Sequence, residues 1–310
     1  MNKQVCESFM SVWENFPDTL TNDKKYQFKD QTFLTSYCVD NECKADLEKM
    51  NAVFFHLVSK FFGSSGLFNN NVKDNINAVE YIIIWLSHML NLKDNEGNIL
   101  TNFYKVYINN QEKYKNPIYG VDDCSNYNEL IYKKNKLMNI TNEKLSKFYA
   151  PFKLLCEMYT EFDENTSNCK KCSEKANEFA KKYNELNGDS SITKDSSCNK
   201  LLCTLSNDYD NFKKKCKNCS SFPAINKPNI TPKCPEKTSE QSLRNSAVIS
   251  EDAPSSSSIT SKLFTVLSIF GAIAFFLGIS YKYSLFGFRK RFQKQKLREK
   301  IKKIKKKMNH

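Results

Sequence analysis

The chain has 310 residues, 40% of them hydrophobic and 13% aromatic, and its formal net charge is +13. Residues 289–307 carry twelve Lys or Arg against one acid, and Lys262 and Lys282 supply the remaining excess, so residues 1–261 are neutral overall. A neutral body has no net attraction for phosphates, which argues against a nucleic-acid-binding protein.

The sequence lacks the motifs of common enzymes. It contains no G-x-S-x-G elbow, no Walker loop and no G-x-G-x-x-G fingerprint. Its three histidines are His56, His88 and His310, and no two of them have the i, i+4 spacing of a zinc protease. We therefore expect no enzyme activity, no catalytic residue, no cofactor and no bound metal.

Apolar residues recur every three or four positions through most of the first two-thirds of the chain, the spacing of amphipathic helices. The first such face covers residues 5–16 and stops at Pro17. The second covers residues 47–61 and is closed by Gly63. The third, residues 76–90, is the most apolar, and we expect it to form the centre of the core.

Five further helices are predicted from the same spacing. The first of these ends before Pro117. The third contains Pro151, which indicates either a kink or a fresh start of the helix. The last ends in three lysines, which suit the negative end of a helix dipole. These helices cover residues 103–107, 127–137, 145–162, 172–183 and 201–212.

The predicted fold class is therefore all-α. One helical domain covers residues 1–220, with lobes 1–163 and 164–220 as a subdivision. Residues 221–260 contain five of the eight prolines and a run of four serines. This composition buries too little apolar surface to fold alone, so we expect a low-complexity stalk there.

Residues 263–281 contain no charged residue and are bracketed by Lys262 and Lys282. As a helix this stretch is about 28 Å long, close to the ~30 Å hydrocarbon core of a bilayer. We predict a single transmembrane helix over residues 262–282, with a buried core helix as the alternative. The basic tail, residues 283–310, then stays cytoplasmic and the helical domain becomes an ectodomain.

Two features of this end concern partners. Gly271, Ala274 and Gly278 lie on one face of the span, a small-residue stripe that would let two spans pack as a weak homodimer. The Lys and Arg side chains of the tail attract an anionic leaflet at about 1 kcal/mol each near the surface. We therefore expect contact with membrane lipid through residues 262–282 and through the tail. The alternative is a tail that serves only as a topology anchor, which fixes the orientation of the span.

The chain contains twelve cysteines, and an outward-facing domain lies in a compartment where cysteines pair. Five cysteines lie up to Cys156 and seven after it. Because both counts are odd, either a bridge joins the two parts or each part keeps an unpaired thiol. Cys6 and Cys156, on apolar helical faces, are the candidates for buried free thiols. The candidate disulfide cysteines are Cys38, Cys43, Cys169, Cys172, Cys198, Cys203, Cys216, Cys219 and Cys234; Cys38 and Cys43 could pair across a turn, and the pairing is otherwise open.

Cys169-x-x-Cys172 and Cys216-x-x-Cys219 also have the spacing of two halves of a zinc site. However, 43 residues separate the halves, more than the usual roughly 12 to 20. A tetrathiolate also needs a reducing compartment, which an exported domain does not have. We therefore favour disulfides over zinc for this cluster.

Four stretches of the sequence share a pattern with a known family: Tyr37-Cys38 with Cys43, residues 46–50 (DLEKM), residues 77–93 (NAVEYIIIWLSHMLNLK) and Phe103-Tyr104. They resemble the Plasmodium interspersed repeat (PIR) proteins in the form found in rodent malaria parasites. The likeness continues through Cys156, the later cysteines, the Ser-rich linker, the span and the Lys-rich tail, so it covers essentially the whole chain.

This resemblance implies a variant antigen of a large multigene family, associated with the infected red cell, with an α-helical ectodomain and no cleaved signal peptide. It also implies immune evasion, adhesion or chronic infection through a host cell-surface or serum protein, and it supplies no catalytic or receptor-binding residue. The expected protein is a single-pass surface antigen of the infected red cell or of a parasite or vacuole membrane. The alternatives are a structural or trafficking membrane protein whose basic tail does the binding, and a membrane-tethered zinc module.

Overall fold

The structure is a computed structural model. The residues that it describes form eleven α-helices. The described residues are 1–68, 75–93, 99–119, 124–228 and Cys234, and all of them belong to one compact unit, Met1–Ser239. Within these ranges two isolated β-bridges are the only extended pairing, so the all-α prediction is confirmed for this part of the chain. The helices are α1 (Lys3–Asn15), α2 (Asp46–Phe62), α3 (Ala78–Asn91), α4 (Ile99–Phe103), α5 (Tyr127–Tyr132), α6 (Asn135–Met138), α7 (Asn142–Ser146), α8 (Tyr149–Glu161), α9 (Cys172–Gly188), α10 (Ser190–Thr193) and α11 (Ser196–Lys215).

The predicted span, residues 262–282, lies outside the described residues, as do the tail and the stripe of Gly271, Ala274 and Gly278. None of the helices in the described ranges is long and apolar enough to cross a bilayer. The topology of the C-terminal end therefore stays a prediction.

α1 begins with a side-chain cap. The Asn2 side chain accepts a hydrogen bond from the Val5 N–H at 2.9 Å, which satisfies one of the free donors of a helix start. The helix ends before Pro17, as predicted, and its predicted apolar face is buried. Phe9 packs edge to face against Phe152 of α8, with ring centroids 4.8 Å apart, so α1 is fastened to α8 by aromatic contact.

α3 is the centre of the core, as predicted. All of its residues except His88 and Asn91 are buried, and α2, α4, α7 and α8 pack around it. α2 ends at the predicted Gly63, where an added Cβ would lie 2.5 Å from the Ser59 carbonyl oxygen. A larger residue there would push against backbone, so the end of α2 depends on glycine.

Two predicted helices are interrupted. The segment predicted at residues 103–107 is the end of α4 followed by a π-helical turn, Tyr104–Ile108, which the Asn109 N–H closes by bonding to the Tyr104 carbonyl oxygen at 2.9 Å. The segment predicted at residues 127–137 is divided between α5 and α6. Apolar spacing continues across both interruptions, so it does not reveal them.

The segment predicted at residues 145–162 is also two helices, α7 and α8. Pro151 is the third residue of α8. The first N–H groups of a helix have no helical partner, so a proline there costs no hydrogen bond. Of the two alternatives, Pro151 marks a fresh start and not a kink.

The C-terminal helices share the core of the N-terminal ones. α9 packs along α8, and the cluster of buried apolar side chains runs from α1 to α11. Residues 1–163 and 164–220 therefore belong to one body with a common core.

The first residues of the predicted stalk are part of this domain. Phe222 is buried, and the Pro223 carbonyl oxygen accepts a hydrogen bond from the Tyr209 hydroxyl at 3.0 Å. Further along, Cys234 is joined to Cys203 of α11 by a disulfide. The folded domain thus extends past the predicted boundary at residue 220, because side chains in this segment find partners on α11 that composition does not show.

Candidate interaction surface

The twelve cysteines form five disulfides and leave two thiols unpaired. Cys6 and Cys156 are the sequence's candidates for free thiols, and the structure pairs them instead: α1 and α8 bring their Cα atoms to 4.8 Å, within the range of a disulfide. Cys198, one of the candidate disulfide cysteines, is unpaired, which corrects its assignment. The pairs are Cys6–Cys156, Cys38–Cys43, Cys169–Cys172, Cys203–Cys234 and Cys216–Cys219.

The two unpaired thiols, Cys124 and Cys198, are both buried. Cys124 lies in the part of the chain up to Cys156, and Cys198 lies in the part after it. The odd number of cysteines in each part therefore reflects one unpaired thiol there, and no disulfide joins the two parts. Burial, with a smaller contribution from Asp195, raises the pKa of Cys198 to about 12. This thiol stays protonated at neutral pH and is a poor nucleophile or metal ligand.

The two Cys-x-x-Cys loops lie side by side. The Asn218 Oδ1 accepts a hydrogen bond from the Cys169 N–H at 2.9 Å, and the Asn218 Nδ2 donates to the Cys169 carbonyl oxygen at 3.2 Å. Each loop is closed by its own disulfide. No group of three or more His, Cys, Asp or Glu in the described ranges is arranged to hold a metal ion.

Two polar clusters lie inside the domain. The Tyr81 hydroxyl donates to Asp208 Oδ2 at 2.7 Å, and Tyr149 and Lys153 each donate to Asp18 Oδ2 at 2.6 Å. Burial raises the pKa of the Asp18 carboxyl, but the bonds from Lys153 and Tyr149 outweigh it and hold that pKa below its usual value. These carboxylates are satisfied by neighbouring helices, so the clusters join helices and do not form an open site.

Five large apolar side chains of the described residues are exposed to solvent. Val39 is 75% exposed, Tyr119 63%, Val106 and Tyr132 57% each, and Leu47 36%. All five belong to α2, to α5 or to segments next to these helices; in the described residues, α1, α8, α9 and α11 carry no large apolar side chain this exposed. We call this set the exposed apolar band. Each of these side chains is apolar surface that folding leaves in water and that is available to a partner.

One end of the band is a loop closed by the Cys38–Cys43 disulfide, which we call the tip loop. Asp40 and Asn41 in this loop both have left-handed backbone conformations, with φ of 55° and 58°. Asp and Asn tolerate this region better than other residues with a side chain, apart from His. The Glu42 N–H bonds to the Val39 carbonyl oxygen at 3.0 Å. The disulfide and the turn together give the loop a defined shape.

The other end of the band is the π-helical turn with α5. The Tyr104 and Tyr132 ring centroids lie 6.4 Å apart, and the Tyr104 hydroxyl donates to Asn128 Oδ1 at 2.7 Å. Burial, and then the neighbouring Tyr132, raises the pKa of Tyr104, which keeps this phenol neutral. π-turns occur frequently at functional sites, and tyrosines with one apolar face and one polar end are enriched at interfaces.

Glu48 of α2 connects the two ends. Its carboxylate accepts hydrogen bonds from the Lys44 and Ala45 N–H groups at 2.8 and 3.0 Å, which caps the start of α2. Its carbonyl oxygen lies 3.8 Å from the Cys38 Sγ. Burial, and then the Glu48 charge, raises the pKa of Tyr107 in the π-turn. The tip loop, the start of α2 and the π-turn are therefore neighbours.

The sequence alone did not reveal this band. Apolar spacing predicts a buried helical face for Leu47 and for Val106, and the structure exposes both side chains. Leu47 is in the first turn of α2 and Val106 is in the π-turn, so neither follows the regular face of a long helix. One local signal existed: two cysteines five positions apart enclose Asp40 and Asn41, residue types that favour turns.

The all-helical body with its disulfides has the architecture of a PIR ectodomain. A solved structure described as "Structure of a Plasmodium PIR protein ectodomain" is similar to it, with a TM-score of 0.56 and 32% sequence identity, over 74% of this chain and 98% of that chain. The family model for the Plasmodium variant antigen protein Cir/Yir/Bir matches residues 6–282. No curated protein matches. The chain belongs to the Cir/Yir/Bir family of Plasmodium variant antigens, which confirms the PIR resemblance.

Proposed function

We propose that this protein is a surface antigen of the infected red cell that acts by contact with a host cell-surface or serum protein and by immune evasion. Membership of the Plasmodium variant antigen family supports the antigen role. The observation that carries the contact is the exposed apolar band, whose five side chains stay in solvent while the other large apolar side chains of the described residues are buried or partly buried. The protein acts by binding and not by catalysis.

The chemistry of the band suits a protein partner. Tyrosine is enriched among the residues that dominate protein interfaces, and the band presents Tyr119 and Tyr132. Because residues 1–261 are neutral, the domain has no net attraction for nucleic acid or an anionic membrane.

In this proposal the domain faces outward, residues 262–282 cross the membrane and the tail, residues 283–310, contacts lipid on the cytoplasmic side. The family match ends at residue 282, so it includes the proposed span. The stripe of Gly271, Ala274 and Gly278 would permit a weak homodimer within the membrane.

Protease treatment of intact infected cells tests the location. Cleavage of residues 1–261 in intact cells is the expected result. Protection in intact cells, with cleavage after permeabilisation, would refute the surface role and favour a structural or trafficking protein of the parasite or vacuole membrane.

A binding screen of the purified chain against host cell-surface and serum proteins tests the contact. Metal analysis of the same preparation tests the zinc alternative, for which one zinc per chain is the diagnostic result.

A further inference from the structure

The tip loop is the part of the exposed apolar band with the most restricted backbone. Left-handed conformations are unfavourable for most L-amino acids, and the loop places Asp40 and Asn41 there in succession. The Cys38–Cys43 disulfide spans them, and the Cys38 N–H bonds to the Thr35 carbonyl oxygen at 2.8 Å. A loop held in this way loses little conformational freedom when a partner binds.

The same loop presents the most exposed large apolar side chain of the described residues. Val39 is 75% exposed, so it contributes almost nothing to the core of the domain. Valine is branched at Cβ and has few accessible rotamers, so fixing it in a pocket costs little entropy. Burying it in a partner would recover apolar surface that folding leaves in water.

The charges beside Val39 indicate what the partner offers. Glu42 forms an exposed ion pair with Lys44 at 3.5 Å, and Asp40 has no ion pair in the described part of the chain. The tip therefore presents one uncompensated negative charge next to an apolar side chain. Complementary charge across an interface favours a partner with a cation at this position and disfavours an anionic lipid surface.

We propose that the tip loop is a preformed anchor that inserts Val39 into an apolar pocket of a protein partner, with a Lys or Arg at the pocket rim facing Asp40. This rests on the proposed function, because it names the element that makes the host contact. The rest of the band supplies contact area around the anchor. The disulfide is part of the anchor because it holds Val39 and Asp40 in one fixed arrangement.

The test compares variants of the full-length purified chain against a panel of purified host cell-surface and serum proteins. Val39→Ser is expected to weaken the strongest interaction by about tenfold or more, since it removes buried apolar surface. Val39→Ile is the matched control and should keep affinity within about threefold of the unmodified chain. Asp40→Asn keeps the left-handed backbone and removes the charge, so it should slow association and reduce its dependence on salt.

The double variant Cys38→Ser, Cys43→Ser opens the loop and leaves Val39 and Asp40 in place. Weaker binding by this variant, with an unchanged fluorescence spectrum of the buried tryptophans, supports the preformed anchor. Unchanged affinity of Val39→Ser for a partner that the unmodified chain binds overturns the anchor and leaves the host contact standing. If no panel member binds the unmodified chain, the proposed host contact fails, and the anchor fails with it.

Discussion

The disulfide between Cys6 and Cys156 provides the strongest test of how this domain is stabilised. It closes a loop with a sequence separation of 150 residues, against a separation of 5 for Cys38–Cys43. In the chain-entropy relation, the long loop stabilises the folded state by about 5 kcal/mol and the short one by about 2 kcal/mol. A domain of this kind is stable by roughly 5–15 kcal/mol in total, so the long loop matters greatly.

The double variant Cys6→Ala, Cys156→Ala is therefore expected to lose about 5 kcal/mol of unfolding free energy. It should still fold, because α1 stays packed on α8 through Phe9 and Phe152. The assay is guanidinium unfolding followed by the fluorescence of Trp13 and Trp85, the two tryptophans of the chain, both buried. The slope with denaturant should rise as well, because an unbridged chain exposes more surface.

The matched control is the double variant Cys38→Ala, Cys43→Ala, which removes a disulfide of the same chemistry with a short loop. If the Cys6 and Cys156 variant loses no more stability than this control, the loop-entropy reasoning is wrong. Residual structure in the unfolded chain would then be the better explanation.

Three further predictions concern buried or half-buried polar groups. Tyr81→Phe removes a donor to the buried Asp208 carboxylate and should cost about 1–3 kcal/mol in unfolding free energy. Burial, and then the Lys60 charge, lowers the pKa of His56 to about 4. The folded state therefore favours the neutral ring. This preference contributes to stability above about pH 6.5, the pKa of an unfolded histidine, and the contribution is lost as the pH falls to about 4. Unfolding measurements on His56→Gln should show a weaker pH dependence in that window. Thiol titration in denaturant without reductant should count two thiols, Cys124 and Cys198, and the second should resist alkylation in the native protein at pH 8.

Each of these has a clear contrary result. Tyr107→Phe, at a half-buried ring of the π-turn, is the control for Tyr81→Phe and should change stability by less than about 0.5 kcal/mol. Equal effects of the two variants would remove the special role of the Asp208 bond. An unaltered pH slope for His56→Gln would show that the ring is protonated alike in both states. Twelve reactive thiols in the purified protein, without reductant, would contradict the disulfide network as a whole.

The helical core could be predicted from the sequence because burial repeats with the period of the helix. The faces of α1 and α3, the end of α2 at Gly63 and the long helices α9 and α11 all follow from spacing and local end signals. The division of residues 127–137 could not be predicted in this way. Leu130, Ile131 and Leu137 keep helical spacing across the break between α5 and α6. Apolar spacing therefore predicts one helix where the structure has two short ones.

What the sequence by itself determined is the helical fold class, the centre of the core at α3 and the expectation that most of the cysteines pair. What the tertiary structure decided is which cysteines pair and which apolar side chains stay in water. A disulfide requires two Cα atoms within about 7 Å, and the packing of α1 on α8 meets this for Cys6 and Cys156. Cys198, on α11, stays unpaired. Exposure of Val39 has the same origin, because solvent contact depends on what folds against a residue and not on its neighbours along the chain.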